Sequence, residues 1–73
     1  MPKLPILSAK ELIEILEKAK YSVVRQKGSH IRMHHKIKDS ITIPNHKTIG
    51  RGLLKKILRD SQISSEDLTQ LMK

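Results

Sequence analysis

The chain has no cysteine, no tryptophan and no phenylalanine, and Tyr21 is its single aromatic residue. Without cysteine there is neither a disulfide nor a thiolate zinc site to support a small core, and the composition fits a reducing cytoplasm. One tyrosine cannot supply the row of stacking platforms that single-strand binders use, which disfavours that class. No apolar run approaches the roughly 20 residues of a membrane span, so no membrane partner is expected. The segment Met1 to Leu7 has an early Lys3 and a few apolar residues broken by Pro2 and Pro5, and does not read as a signal peptide. Acidic residues are also scarce. Seven Asp and Glu stand against fifteen Lys and Arg, a formal charge of +8 over 73 residues. Such a surplus favours a polyanionic partner, because each phosphate contact releases counterions. A solubility surface or an acidic protein partner is the alternative.

A chain of 73 residues is near the lower limit for a self-sufficient core. It has no repeat, low-complexity tract or internal linker, so residues 1–73 are expected to form a single domain. Ser8-Ala9-Lys10-Glu11 reads as a capping box, and Leu12, Ile13, Leu16 and Ala19 recur at helical spacing, predicting a helix from Ala9 to Ala19. Its other face carries Lys10, Glu14, Glu17 and Lys18, with Glu14 and Lys18 spaced as an ion pair. From Tyr21 the period becomes two. Tyr21 to Gln26 reads as a strand, Lys27-Gly28-Ser29 as a turn, and His30 to His35 as a second strand. Lys36 to Asp39 makes the next turn and Ser40 to Ile43 a third strand, ended by Pro44. After the polar loop Asn45 to Thr48, a helix is predicted from Gly50 to Asp60 with Leu53, Leu54, Ile57 and Leu58 as its buried stripe. Arg51, Lys55 and Arg59, four apart, form a basic ridge beside that stripe. Ser64 to Asp67 opens a short last helix with Leu68, Leu71 and Met72 apolar. The order α-β-β-β-α-α implies an α+β fold, a three-stranded antiparallel meander with helices on one face.

Alternation along the second strand sets Ile31 and Met33 toward the helices and His30, Arg32 and His34 away from them. The four histidines invite a metal reading, but their spacing argues against it. His30 and His34 stand roughly 13 Å apart along a strand, a gap that zinc–nitrogen bonds of about 2 Å cannot bridge. His35 points to the opposite face. His34 and His35 fit polar surface positions at the mouth of a turn. His46, before a helix N-terminus, suits either a phosphate contact or a solvent-exposed loop. His30 stands out. Turn chemistry accounts for Gly28, which reaches positive φ freely, and for Ser29, which bonds its own backbone, but not for the histidine that follows. In a strongly basic protein that histidine is a candidate acid–base group acting on a polyanion.

Arg25-Gln26-Lys27-Gly28-Ser29-His30, then Thr42-Ile43-Pro44-Asn45-His46, then Gly52 to Leu58 together resemble the HicA-like (YcfA-type) toxins, small RNA-cleaving components of toxin–antitoxin pairs. The resemblance runs from the first helix to Ile63 and beyond. It implies a fold similar to a double-stranded-RNA-binding domain, mRNA cleavage, and inhibition by a HicB-like antitoxin. The family's catalytic histidine, in its Gly-Ser-His turn, falls on His30, and Gly28 and Ser29 match the residues that position it. The chain departs from the family where glycine commonly precedes the first strand's aromatic and where glycine commonly follows the second helix. Lys20 and Gln62 stand there. Both positions suit a left-handed helix terminus, so the departures touch stability and not chemistry.

The expected function is that of a toxin acting as an endoribonuclease without metal or cofactor in the cytoplasm. The ribose 2′-hydroxyl is the nucleophile and His30 the general base. Arg32, Lys27 and Lys47 are candidates for stabilising charge, and Arg51, Lys55 and Arg59 for holding flanking phosphates. With +8 formal charge, the expected antitoxin is acidic. Two rivals stand beside this reading. One is a non-catalytic RNA-binding module of the same fold, the other a basic domain that docks an acidic protein.

Overall fold

Helix α1 spans Ala9–Lys18 and starts where the sequence places a reciprocal cap. In the computed structural model, which describes residues 4–73, Glu11 N–H donates to Ser8 Oγ at 3.1 Å and Ser8 N–H to Glu11 Oε1 at 3.0 Å. The bond from the Ser8 backbone, then that from its hydroxyl, holds the Glu11 carboxyl below its ordinary value. The buried stripe of α1 is Ala9, Leu12, Ile15 and Leu16, so Ile15 takes the place expected for Ile13, which is only half-buried. Met1, Pro2 and Lys3 of the N-terminal segment lie outside the described residues.

The first helix ends in a Schellman turn. Tyr21 N–H reaches back to Leu16 O at 3.0 Å and Lys20 N–H to Glu17 O at 3.1 Å, with Lys20 left-handed at φ 77°. This turn lowers Tyr21 into the core, 2% exposed. Burial, and then the nearby Asp39 carboxylate, push its phenol above its ordinary value.

Three antiparallel strands follow in the order β1-β2-β3: β1 at Ser22–Lys27, β2 at His30–His34 and β3 at Ile41–Pro44. The first strand thus begins one residue later than expected and runs through Lys27, which leaves only Gly28-Ser29 as its turn. The second ends at His34. His35 belongs to the following turn because its Nδ1 accepts Ile37 N–H at 3.0 Å and Lys38 N–H at 3.1 Å. Its ring packs on Tyr21 with centroids 4.9 Å apart.

Burial alternates along β2 and β3: Ile31, Met33, Ile41 and Ile43 are buried, and Arg32 and Thr42 between them are exposed. Helices therefore cover one face only, and the other is open. All six residues of β1 are exposed. That strand extends past the helical layer, as an edge.

A short isolated bridge between Leu7 and Ile49, with Ile49 N–H donating to Leu7 O, joins the segment before α1 to the loop after β3. Helix α2 spans Arg51–Ser61 and buries Leu54, Ile57, Leu58 and Ser61. Ser61 is tolerated in the core because its hydroxyl donates to Ile57 O at 2.8 Å. Its own carbonyl accepts Lys38 Nζ at 3.0 Å, which ties the β2–β3 turn to the negative end of the helix. A second Schellman turn ends α2, with Ile63 N–H on Leu58 O at 2.9 Å and Gln62 at φ 58°. Helix α3, Ser65–Leu71, is capped by Ser64 and buries Leu68. Met72, one of the apolar residues of this segment, is 44% exposed.

Leu12, Leu16, Met33, Ile43, Ile49, Leu54 and Leu68 are fully buried, and this group joins the three helices to β2 and β3. Each such side chain contributes about 1.5–3 kcal/mol relative to exposure. The expected Glu14–Lys18 pair does not form. Lys18 Nζ instead donates to the last carbonyl of α3, Leu71 O, at 3.0 Å, where the helix dipole favours a cation. Among the described residues the one ion pair is Lys56–Asp60, at 3.6 Å.

Candidate active site

A two-residue hairpin loop builds the site. Gly28 has φ +59° and its Cβ position meets nothing within 4 Å, so backbone conformation and not crowding selects glycine there. The Gln26 side chain donates to Gly28 O at 3.3 Å. That contact, in place of the expected one from the Ser29 hydroxyl, steadies the turn. Ser29 O accepts Asn45 N–H at 2.6 Å, which ties the tip of the hairpin to the end of β3. His30, the first residue of β2, is therefore held from both sides by backbone pairing. It stands opposite Lys27 on β1 and Pro44 on β3.

Residues directly opposite in adjacent antiparallel strands share a face. The open face of the sheet consequently reads in rows. Lys27, His30 and Pro44 form the row nearest the hairpin tip, Arg25, Arg32 and Thr42 the next, and Ser22 with His34 the third. Arg32 Nη1 donates to Thr42 Oγ1 at 2.9 Å, which fixes its guanidinium across the sheet. An open cleft of about 710 Å³ lies over the first two rows and is lined by Arg25, Lys27, Gly28, Ser29, His30, Arg32 and Thr42. No carboxylate lines it. The arrangement suits an anion set beside an exposed imidazole.

Of the residues singled out from sequence, Lys27, Gly28, Ser29, His30 and Arg32 come together in this cleft. Lys47 does not line it. Its loop begins where Asn45 meets Ser29 and runs to α1, whose Ala9 N–H donates to His46 O at 3.0 Å. The α2 ridge is also separate from the cleft and is not uniform. Arg51 Nε donates to Leu4 O at 2.9 Å, so that guanidinium anchors the N-terminal segment, whereas Lys55 and Arg59 are exposed. His34 sits on the open face with its Nδ1 3.3 Å from Ser40 Oγ. His35 is a structural cap, since an Nδ1 that accepts two N–H groups carries no proton of its own.

Arg25 and Thr42 enter the site without having been anticipated. The signal for Arg25 is partial: once the loop is two residues and not three, Lys27 stands opposite His30, yet Tyr21, of the same parity and just ahead of β1, faces the core. Strict alternation cannot satisfy both.

The family model described as HicA toxin of bacterial toxin–antitoxin matches residues 9–63. That span takes in α1, the whole sheet and α2, and so every residue of the cleft. Neither curated proteins nor solved structures gave a match.

Proposed function

The chain belongs to the HicA toxin family of bacterial toxin–antitoxin systems, and on that premise we propose that it is an mRNA-cleaving endoribonuclease with His30 as its general base. The observation that carries the reading is the position of His30. It is exposed at the rim of a cationic cleft, yet its backbone is held by pairing to both neighbouring strands. A rigid backbone under an exposed imidazole meets the geometric demand on a proton acceptor.

The reaction needs little else. The ribose 2′-hydroxyl attacks phosphorus as its proton passes to the His30 ring, and the bond to the 5′-oxygen breaks. The departing 5′-alkoxide takes a proton from water. One product end is a 2′,3′-cyclic phosphate and the other a 5′-hydroxyl. Negative charge grows on the non-bridging oxygens during attack, and Arg32 and Lys27, both on the open face, are assigned to stabilise it. Gly28 and Ser29 hold the turn that aims His30. Lys47, Lys55 and Arg59 lie outside the cleft and are assigned to flanking phosphates. No metal enters this scheme, because the substrate carries its own nucleophile.

A toxin of this family has an antitoxin partner. The +8 charge favours an acidic, HicB-like inhibitor that covers the His30 face in the cytoplasm. No helix among the described residues is long and apolar enough to cross a membrane.

Cleavage of a defined RNA by the purified parent and by His30→Ala tests the proposal. Loss of about 10²–10⁴ in rate is expected for removal of a general base, with the fold and RNA affinity retained. Cleavage is also expected to survive EDTA and to stop when the ribose at the cut site is deoxyribose. A folded His30→Ala protein that cleaves at the parent rate refutes the assignment. A parent that binds RNA but never cuts it would make this a binding module instead.

A further inference from the structure

The register of β1 against β2 changes by one residue at Val24. Ser22 pairs with His34 and Val23 with Met33, but Arg25 pairs with Arg32 and Lys27 with His30. Val24 is the extra residue, and it is exposed. Tyr21, Val23, Arg25 and Lys27 all share one parity, so regular alternation would send both cations to the side on which Tyr21 is buried. The bulge reverses the phase between Val23 and Arg25. Tyr21 stays in the core while Arg25 and Lys27 come out on the open face.

This brings two arginines directly opposite each other, with Cβ atoms about 5 Å apart in such pairs. Like charges in that position are unfavourable for folding, and nothing nearby relieves them. Glu11, Glu14 and Glu17 are on α1, Asp60 on α2, Glu66 and Asp67 on α3, and Asp39 in the β2–β3 turn, so no strand carries an acidic residue. Arg32 is bonded to Thr42. Among the described residues Arg25 has no ion-pair partner. An unrelieved pair of guanidinium forks, one of them pinned, lies one row from His30. Two residues along β2 separate His30 from Arg32, roughly 6.6 Å at 3.3 Å per residue.

We propose that Arg25, carried to the open face by the bulge at Val24, forms with Arg32 the subsite that grips the non-bridging oxygens of the reacting phosphodiester. Guanidinium matches phosphate with paired, charge-assisted hydrogen bonds, and two such groups side by side suit the oxygen pair on which charge accumulates. Arg32 is held still by Thr42, so Arg25 supplies the second, adjustable jaw. The identity of the ligand as RNA rests on the ribonuclease reading above. The existence of an anion subsite at this row does not.

The test compares the full-length parent with Arg25→Ala, Arg25→Lys and His30→Ala in three measurements. Cleavage by Arg25→Ala should fall about 10²-fold or more, as on loss of one donor to a developing oxyanion, chiefly in kcat, with Arg25→Lys recovering part of it. Thermal denaturation in chloride buffer should give Arg25→Ala a Tm equal to or above the parent's, because a repulsive pair has been removed. Binding of an uncleavable 2′-deoxy oligonucleotide should show a log-affinity against log-salt slope smaller by roughly 0.7. Arg25→Ala that cleaves at the parent rate, or that loses Tm while keeping the parent's salt slope, overturns the proposal and makes Arg25 structural. His30→Ala separates the two ideas. If it cleaves normally while Arg25→Ala flattens the salt slope, the general-base role of His30 falls and the anion subsite stands. If His30→Ala is inactive and Arg25→Ala is unchanged in cleavage and slope, only the subsite falls.

Discussion

Replacing Lys20 and Gln62 with glycine should stabilise this protein. Both residues sit in the left-handed region, at φ 77° and 58°, and both occupy the same place in a Schellman turn. A side chain in that region costs about 1–2 kcal/mol from crowding of Cβ against the backbone. Glycine removes the crowding but widens the unfolded ensemble, which offsets about 0.4–1 kcal/mol. The net gain is then about 0.5–1 kcal/mol per site. The turns share no hydrogen-bond partner, since Lys20 and Tyr21 bond to Glu17 and Leu16 while Gln62 and Ile63 bond to Arg59 and Leu58. The gains should therefore add. For a chain of 73 residues each kcal/mol corresponds to about 4–8 °C in Tm. Urea denaturation is the sharper assay: the midpoint of Lys20→Gly/Gln62→Gly should rise with an unchanged m-value. Lys20→Ala and Gln62→Ala keep the Cβ and should gain nothing. A double glycine variant no more stable than the parent, or alanine variants as stable as the glycine variants, would refute the reasoning.

Three further outcomes are expected. Ser8→Ala should lose about 1 kcal/mol by removing the cap on α1. Because the Glu11 carboxyl is depressed in the folded protein, its contribution is present at neutral pH and lost as pH falls through its folded value, so the parent's stability should drop more than the variant's on acidification. Lys55→Ala/Arg59→Ala should flatten the salt dependence of RNA binding by roughly 0.7 per lost contact, with stability within about ±0.5 kcal/mol; an unchanged slope makes the α2 ridge ordinary solvated surface. The cognate antitoxin should protect His30 from chemical modification and compete with RNA, with association slowed by salt. A complex that leaves His30 open and RNA binding intact would require inhibition from another site.

What the amino-acid order decided by itself is whatever depends on neighbours within a few residues. The capping box at Ser8 and Glu11, the apolar spacing of α1 and α2, and the glycine turn before His30 all involve contacts of that range. The left-handed ends at Lys20 and Gln62 were implied by the family resemblance, through the glycines common at both places, and φ angles of 77° and 58° agree with it. The outward phase of His30 and Arg32 was also legible, because Ile31 and Met33 alternate with them on one strand.

Contacts between distant segments were not legible. Lys18 has the spacing to pair with Glu14 but finds the carbonyl end of α3, and Arg51 leaves its ridge for Leu4 O. Periodicity ranks positions on one helix and says nothing of which carbonyl another segment brings near. His35 looked like surface and proved to cap a turn while packed at a tilt against Tyr21. Arg25 is the clearest case. Its face depends on where the one-residue slip between two strands is absorbed, and only pairing with β2 puts that slip at Val24. The residues of the cleft were written in the sequence, but their gathering on one side of the sheet was settled by register, a property that belongs to two strands together and to neither alone.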